Sequence, residues 1–540
     1  MRKLTTKYIL VIISLFIIIS CDDWLDDVKQ TSTVSDVIIW QEESSVDKYI
    51  NSFYIYLHDY GQFGNTQFNG SLTEGLTETL KYGQISAVSN TYSMNANNIS
   101  AESCVYSIWR GLSGSAYEHI RLINQFLTLQ KEYSEFPEEV NKSWEAQARF
   151  FRAFIYFQLA KRHGGVILYD ELPKPGGKAR STAEETWQFI ADDLDFAAEN
   201  LPEEWDKKNK GRVTKGAALA LKSRAMLYAE RWQDAYDAAN AVINLKRYGL
   251  VNNYADSWKG DNIESILQFK YDELNGPNHN FDLFVVPGSD GYENRAPATP
   301  TQEMVESYEK ADGTKVDWTP WHGTTTQTPP YDELEPRFKA TITYRGSVWK
   351  GKTMDCSVDG KNGVFIPYRA QDIPYGKTTT GYFLRKLADE QLIDLLNKKS
   401  SQTWVEIRYA EVLLNKAEAA YRLNKLNEAQ NAMNEVRSRV NLPSKMSQGE
   451  EWFKDYRNER KVELSYEGHL FWDMRRWRLA HIEYNNYRVH GLRITGSSNS
   501  YEYVECDNKD REFIPRLYVV PVPAEELRDN PLIEQYDEWK

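Results

Sequence analysis

The sequence predicts a mainly α-helical protein, a scaffold of repeated helical hairpins with an irregular, loop-rich lobe inserted late in the chain. Three observations predict it. Apolar residues recur every three or four positions over several long stretches, the mark of helices that bury one face. Two segments far apart in the chain share one helix-turn-helix pattern. Residues 276–350 hold 8 of the 19 prolines and ten aromatics, with one short helical pattern at 302–308. A long stretch without regular structure is usually functional or disordered, and disordered segments are poor in aromatics, so this lobe is expected to be ordered.

The chain opens with Arg2, Lys3 and Lys7 and then a run at 8–19 that is apolar but for Ser14. That length suits the apolar core of a signal peptide and falls short of the roughly 20 residues a spanning helix needs. Ile18-Ile19-Ser20-Cys21 followed by Asp22 and Asp23 resembles a bacterial lipobox. The resemblance implies that 1–20 is a removed signal peptide, and that Cys21 becomes the acylated first residue of a mature domain, 21–540. Two or more acyl chains hold a protein stably at a membrane without a spanning segment.

The whole chain carries 65 basic and 78 acidic side chains, net −13, and loses three of its cations with the signal peptide. Such a surface repels phosphate backbones, which excludes nucleic acid as a partner. Beyond Cys21 only Cys104, Cys356 and Cys506 remain, without CxxC or Cys/His spacing, so neither a zinc site nor a disulfide framework is expected, and a single disulfide stays open. Aromatics make up 13% of the chain, including 16 Trp and 34 Tyr. These rings suit partly wet recognition surfaces as well as cores.

Taken in order, the first strong helix lies at 144–161. Trp144, Ala148, Phe151 and Ile155 form its stripe, and Phe150, Phe154 and Phe157 widen it until most of the surface must be buried. The two matching hairpins lie at 215–245 and 409–440. Their turns read Glu230-Arg231-Trp232-Gln233-Asp234-Ala235 and Asn424-Lys425-Leu426-Asn427-Glu428-Ala429, and Ala225 matches Ala419, where a small residue lets helices approach. This resembles the tetratricopeptide pattern, in which at least three units are expected to stack. The irregular insertion runs from about 276 to 400, braced by short β pieces such as 340–344.

Searches for catalytic motifs return little. Residues 346–353, GSVWKGKT, match the P-loop pattern literally, but that loop needs a helix after it. The following residues include Asp355, Asp359, Gly360 and Gly363 and show no helical period, so nucleotide binding is rejected. There is no HExxH, GxSxG or EF-hand loop. His119, His163 and His469 have no second histidine or cysteine at i+4 and are expected to be structural. A glycosidase-like carboxylate pair is set by distance in space and stays open.

The most specific signal is RNERKVELSYEGHLFWDMRRW at 457–477, which closely resembles the motif of SusD/RagB proteins. Val462, Tyr466, Leu470 and Met474 are expected to form one buried stripe, with Arg460, Lys461 and Glu463 off it, and the charges to serve as ion pairs and not as catalysts. Further agreement comes from IRYAEVLLNKAEA at 407–419, VRSRVNLP at 436–443, the Pro521 to Leu527 stretch with Asn530-Pro531, and Arg152, Ala153, Tyr156 and Leu159 upstream. The resemblance implies a tetratricopeptide-like helical fold with ligand loops, a cell-surface outer-membrane lipoprotein, and a SusC-like TonB-dependent barrel as partner. It implies a glycan ligand, no chemistry on that ligand, and neither cofactor nor metal. Asp22, Asp23, Asp26 and Asp27 resemble the acidic tether that sends such lipoproteins outward. Two alternatives stay open: a peptide ligand, as the RagB branch implies, or a surface glycan hydrolase.

A pyranose ring packs its C–H face on an aromatic plane, and Trp and Tyr lose little side-chain entropy in doing so. Trp318 and Trp321 flank Pro320 in a loop without helical or strand period, so both are expected to be exposed stacking rings. Tyr292 and Tyr331 come next, then Tyr82 and Tyr92 in the polar stretch before a helix expected at Glu102. Asp290, Asn294 and Asp317 are the candidates for the sugar hydroxyls. Loss of either tryptophan is expected to weaken binding by at least about tenfold with little change in melting temperature.

Overall fold

The computed structural model describes residues 39–61, 63, 73–82, 99–104, 107–110, 115–287, 298–360, 377–395, 397–507 and 510–540. The signal peptide and Cys21 lie outside the described residues, as do Tyr92, Asp290, Tyr292 and Asn294. Among the described residues no helix is long and apolar enough to cross a membrane.

Helices α1 (Glu43–Phe53), α2 (Ile55–Tyr60), α3 (Ala116–Tyr133), α4 (Glu138–His163), α5 (Ala183–Asn200), α6 (Lys215–Tyr228) and α7 (Trp232–Asn244) begin the array. After the lobe helix α8 (Gln302–Glu306) it resumes with α9 (Tyr409–Arg422), α10 (Leu426–Ser438), α11 (Gly449–Glu463) and α12 (Leu470–Arg476). From α3 to α7 each helix packs on the next, α7 packs on α9, and α9 continues to α10 and α11. One continuous core results, centred on α4, whose Phe150, Phe151, Phe154 and Phe157 are all at most 1% exposed. The two matching hairpins are real and share their turns to the atom. Glu230 and Asn424 both take a left-handed backbone, φ 56° and 60°. In each turn the next N–H donates to an equivalent carbonyl, Arg231 to Met226 at 2.9 Å and Lys425 to Ala420 at 2.8 Å.

Good caps explain several of the helix starts. Thr182 and Glu185 form a reciprocal capping box on α5, and Ser115 and Thr214 cap α3 and α6. The helix expected near Glu102 is absent; residues 101–104 are bend and coil, and the helix starts at Ala116.

Strand β1 (Leu80–Tyr82) pairs antiparallel with β3 (Ala298–Pro300), and β2 (Ser265–Phe269) with β5 (Trp404–Arg408), which feeds directly into α9. Strand β4 (Thr324–Thr325) edges the hairpin of β6 (His490–Thr495) and β7 (Ser500–Glu505). The β piece expected at 340–344 is shorter, Ile342–Thr343, because a helical turn at Pro336–Thr341 occupies its start. The P-loop-like stretch folds as a hairpin, Val348–Trp349 against Lys352–Thr353, with no helix behind it.

The lobe has its own core, which gathers Trp318, Trp321, Tyr331, Phe338, Trp349, Tyr382 and Phe383 with Val462 and Tyr466 of the 457–477 motif. The expected single stripe of that motif is divided. Tyr466 (φ 64°) and Gly468 (φ 82°) break the helix between α11 and α12, so Val462 and Tyr466 enter the lobe core while Leu470 and Met474 enter a third, smaller cluster. Its charges are buried ion pairs, as expected. Arg408 reaches Glu264, Glu463 and Glu467 at 2.6–2.7 Å, and Arg337 reaches Glu335, Glu459 and Glu463. Burial alone would raise the Glu463 carboxyl, but Arg439, Arg408 and Arg337 hold it well below the usual carboxylate range.

Candidate functional site

A cleft of about 600 Å³ lies between the lobe and the α11–α12 end of the array. The lobe wall is α8, with Glu303, Glu306 and Ser307, and the loop that carries Lys315, Asp317, Trp318 and His322. The array wall is one face of α11, Lys454, Arg457, Asn458 and Lys461, with Met474 and Trp477 below. The Thr301 hydroxyl caps α8 by accepting from the Met304 N–H at 3.3 Å. Asp317 turns the loop by accepting the Thr319 N–H at 3.0 Å, and the following short helical turn carries Pro320. That turn sets Trp318 edge-on to Trp321, ring centroids 5.5 Å apart.

Most of the charge in the cleft is already committed. Glu306 bonds His322 at 2.8 Å and Glu303 bonds His490 at 2.7 Å, while the Tyr503 ring lies beside both imidazoles, at 4.6 Å and 4.4 Å. Burial pushes the Glu306 carboxyl up. Glu78 accepts from Lys461 at 2.7 Å and Tyr484 at 2.6 Å; burial alone would raise it, but Lys461 brings it below the usual range. Arg457 holds Glu483 at 2.7 Å, and Glu309 takes Arg437 and Lys445 at 2.9 Å and 2.7 Å. No group of three or more His, Cys, Asp or Glu among the described residues is arranged to hold a metal, and Cys356 and Cys506 are buried without a disulfide among the described residues.

Of the sequence-predicted residues, the structure brings Trp318 and Asp317 to this cleft. The expectation that the loop tryptophans are exposed is corrected: Trp318 is 6% and Trp321 5% accessible, because the lobe has a core of its own. Trp321 also donates its Nε1–H to the Gln327 carbonyl at 2.9 Å. Tyr331 is equally buried, stacked on Phe338 and hydrogen-bonded to the Tyr382 hydroxyl at 2.9 Å. Tyr82 belongs to β1, opposite Ala298; its side chain lies outside what is described. Sequence reasoning missed His322, Glu303, Glu306, Lys315 and the α11 face. One signal was available: Lys454, Arg457, Asn458 and Lys461 repeat at i, i+3, i+4 and i+7, a polar stripe on one helix face.

A helical-repeat array with a loop-built lobe packed on its flank defines the class of protein. The family model described as the SusD family matches residues 263–539, and a second, described as starch-binding associating with outer membrane, matches residues 23–227. The chain belongs to the SusD family, which is associated with the outer membrane. A SusD-like protein of Bacteroides ovatus is 26% identical over 355 residues, 62% of this chain and 58% of that protein, so the match spans a little over half of that relative. The crystal structure of a SusD-like protein from Bacteroides fragilis superposes with a TM-score of 0.80 at 28% identity, covering 92% of this chain and 98% of that one. A SusD-like carbohydrate binding protein from the same species superposes at 0.77 with 23% identity, covering 92% and 100%.

Proposed function

We propose that this protein binds a glycan in the cleft between the lobe and α11, at the cell surface, and passes it to a SusC-like TonB-dependent barrel without cleaving it. The observation that carries the reading is the cleft itself: Trp318 and Trp477 line it among hydrogen-bonding side chains. A concave site with aromatic surface and a few convergent polar groups suits a sugar, which needs both ring contact and hydroxyl partners. The family's starch-binding description and the carbohydrate-binding name of one structural relative support it. Anchoring through acylated Cys21 and delivery to the barrel come from the sequence resemblance.

The mature protein is titrated with a panel of polysaccharides and peptides, and the recovered ligand is then analysed for new reducing ends. Binding of at least one glycan without cleavage is expected. Trp318→Phe, which keeps the buried ring but removes its N–H, is expected to weaken that binding several-fold, about 1 kcal/mol for one hydrogen bond. A peptide as the sole ligand, or release of reducing ends, overturns the reading. Cys21→Ala is expected to move the folded protein out of the detergent phase.

A further inference from the structure

The hydrogen-bonding groups of the cleft fall into two unequal sets. Its carboxylates are all engaged: Glu78, Glu303, Glu306, Glu309 and Glu483 each lie within 2.9 Å of a lysine, arginine or histidine, and Asp317 accepts a backbone N–H. The groups without a partner are donors. The Trp318 Nε1–H is buried and unbonded, on a residue 6% accessible, and so is the Arg457 Nε–H on the opposite wall. Lys315 makes no ion pair among the described residues, and the Lys454 ion pair with Glu451 is long, 3.8 Å. Indole, guanidinium and ammonium groups can only donate, so what the cleft lacks is an acceptor.

We propose that the cleft takes an anionic glycan, whose carboxylate or sulfate is held by Lys315 and Lys454. The inference rests on the reading of the cleft as the glycan site. A neutral sugar offers the two ammonium groups hydroxyl oxygens alone, whereas a carboxylate or sulfate adds direct ion pairing between opposite charges. The net charge of −13 opposes the approach of such a ligand at long range. Recognition therefore depends on contacts made inside the cleft, where Glu78, Glu309 and Glu483 are already paired with cations and Glu303 and Glu306 are hydrogen-bonded to histidines.

The test measures affinities of the mature protein for three pools of matched length: uronate-containing oligosaccharides, sulfated galactan oligosaccharides, and neutral glucan and galactan oligosaccharides. At least one anionic pool is expected to bind about tenfold or more tightly than the neutral pool, the equivalent of one hydrogen bond to a charged group. The Lys315→Ala, Lys454→Ala double variant is expected to erase that preference. Both lysines are exposed, so it should fold normally, and an unchanged melting temperature verifies this. The arm that responds separates carboxylate from sulfate. Equal or tighter neutral binding that still weakens in Trp318→Phe overturns the anionic class and leaves the glycan site standing. Absence of binding to every pool overturns both. A preference retained in the double variant overturns the assignment to these lysines.

Discussion

The helical array and the lobe both bury a dense set of rings, by different means. In the array, α4 places Phe150, Phe151, Phe154 and Phe157 on nearly every side of one helix, and neighbours in the array cover them. In the lobe, Trp321, Tyr331, Phe338 and Tyr344 come from a loop, a turn and a short helix, and meet only because distant segments such as 382–384 and 492–494 close over them. A periodic pattern announces its own burial, whereas an aperiodic one is silent about it. The absence of a period at 317–321 was therefore no ground for expecting exposed tryptophans.

The seam between the two regions is built of charge. Arg408 ends β5 beside the array core and lies among Glu264, Glu463 and Glu467, all at most 7% accessible. Arg408→Ala leaves this buried cluster one cation short, although Arg439 still reaches Glu264 and Glu463 and Lys386 still reaches Glu467, and its cost is expected at about 3–5 kcal/mol in urea unfolding. Arg110→Ala, which releases Glu525, Glu526 and Asp529 at the surface, is the control, expected at below about 1 kcal/mol. Similar losses in the two variants would mean that the seam is no stronger than a surface pair.

A second pair of substitutions compares the cores directly. Phe154→Ala in the array and Trp321→Ala in the lobe each remove a buried ring and are both expected to cost about 3–5 kcal/mol. If Trp321→Ala costs less than about 1 kcal/mol, the lobe collapses around the loss and its core is soft. Trp318→Ala is expected to lower stability as well as affinity, contrary to the sequence-based expectation, since that ring lies in the same cluster.

Each region also holds a buried neutral histidine. His163, at the end of α4, donates its Nδ1–H to the Val520 carbonyl at 2.9 Å, and His279 stacks on Phe63 at the edge of the lobe. Burial pushes both down to about 3 from an ordinary 6.5. Above pH 6.5 neither folded nor unfolded chain protonates them. Between 6.5 and about 3 only the unfolded chain takes up the protons, so stability falls on acidification through that window. Replacing one histidine with Gln is expected to flatten the dependence by up to about 1.4 kcal/mol per pH unit. Equal flattening in the two variants would show that array and lobe unfold together. A response from only one would divide them.

Much of the array was legible because its signals are local. The two hairpins, the α4 stripe and the 457–477 motif are each read within some thirty residues, and the ion-pair role of that motif follows from charges set among apolar positions. The cleft was legible in part. Asp317 and Trp318 came from composition and loop character, while α8 and the α11 face were passed over. Their partners lie more than a hundred residues apart, as Glu303 to His490 and Asn458 to Ser307 show, and no spacing in the sequence records such a pairing. The break at Tyr466 was hidden for a different reason: a tyrosine with positive φ is held there by its hydroxyl on the Thr79 carbonyl, a contact across most of the chain.

The smallest expected effect tests the likeness of the two hairpins inside the array. Their turns share backbone geometry but not sequence, since the left-handed position is Glu230 in one and Asn424 in the other. Asn tolerates that conformation better than most residues because its short amide bonds locally, whereas a residue with a longer side chain meets the crowding of Cβ against the following carbonyl. Glu230→Asn is therefore expected to stabilise the protein by about 0.5 kcal/mol, and Asn424→Glu to destabilise it by a similar amount, with no new contact made in either. The two substitutions are in effect an exchange between equivalent sites, so their sum in the double variant should lie near zero. Urea midpoints of the three variants measure it. A double variant that loses more than about 1 kcal/mol would show that Glu230 is held by its surroundings and not tolerated by them, and the two turns would then be alike only in backbone.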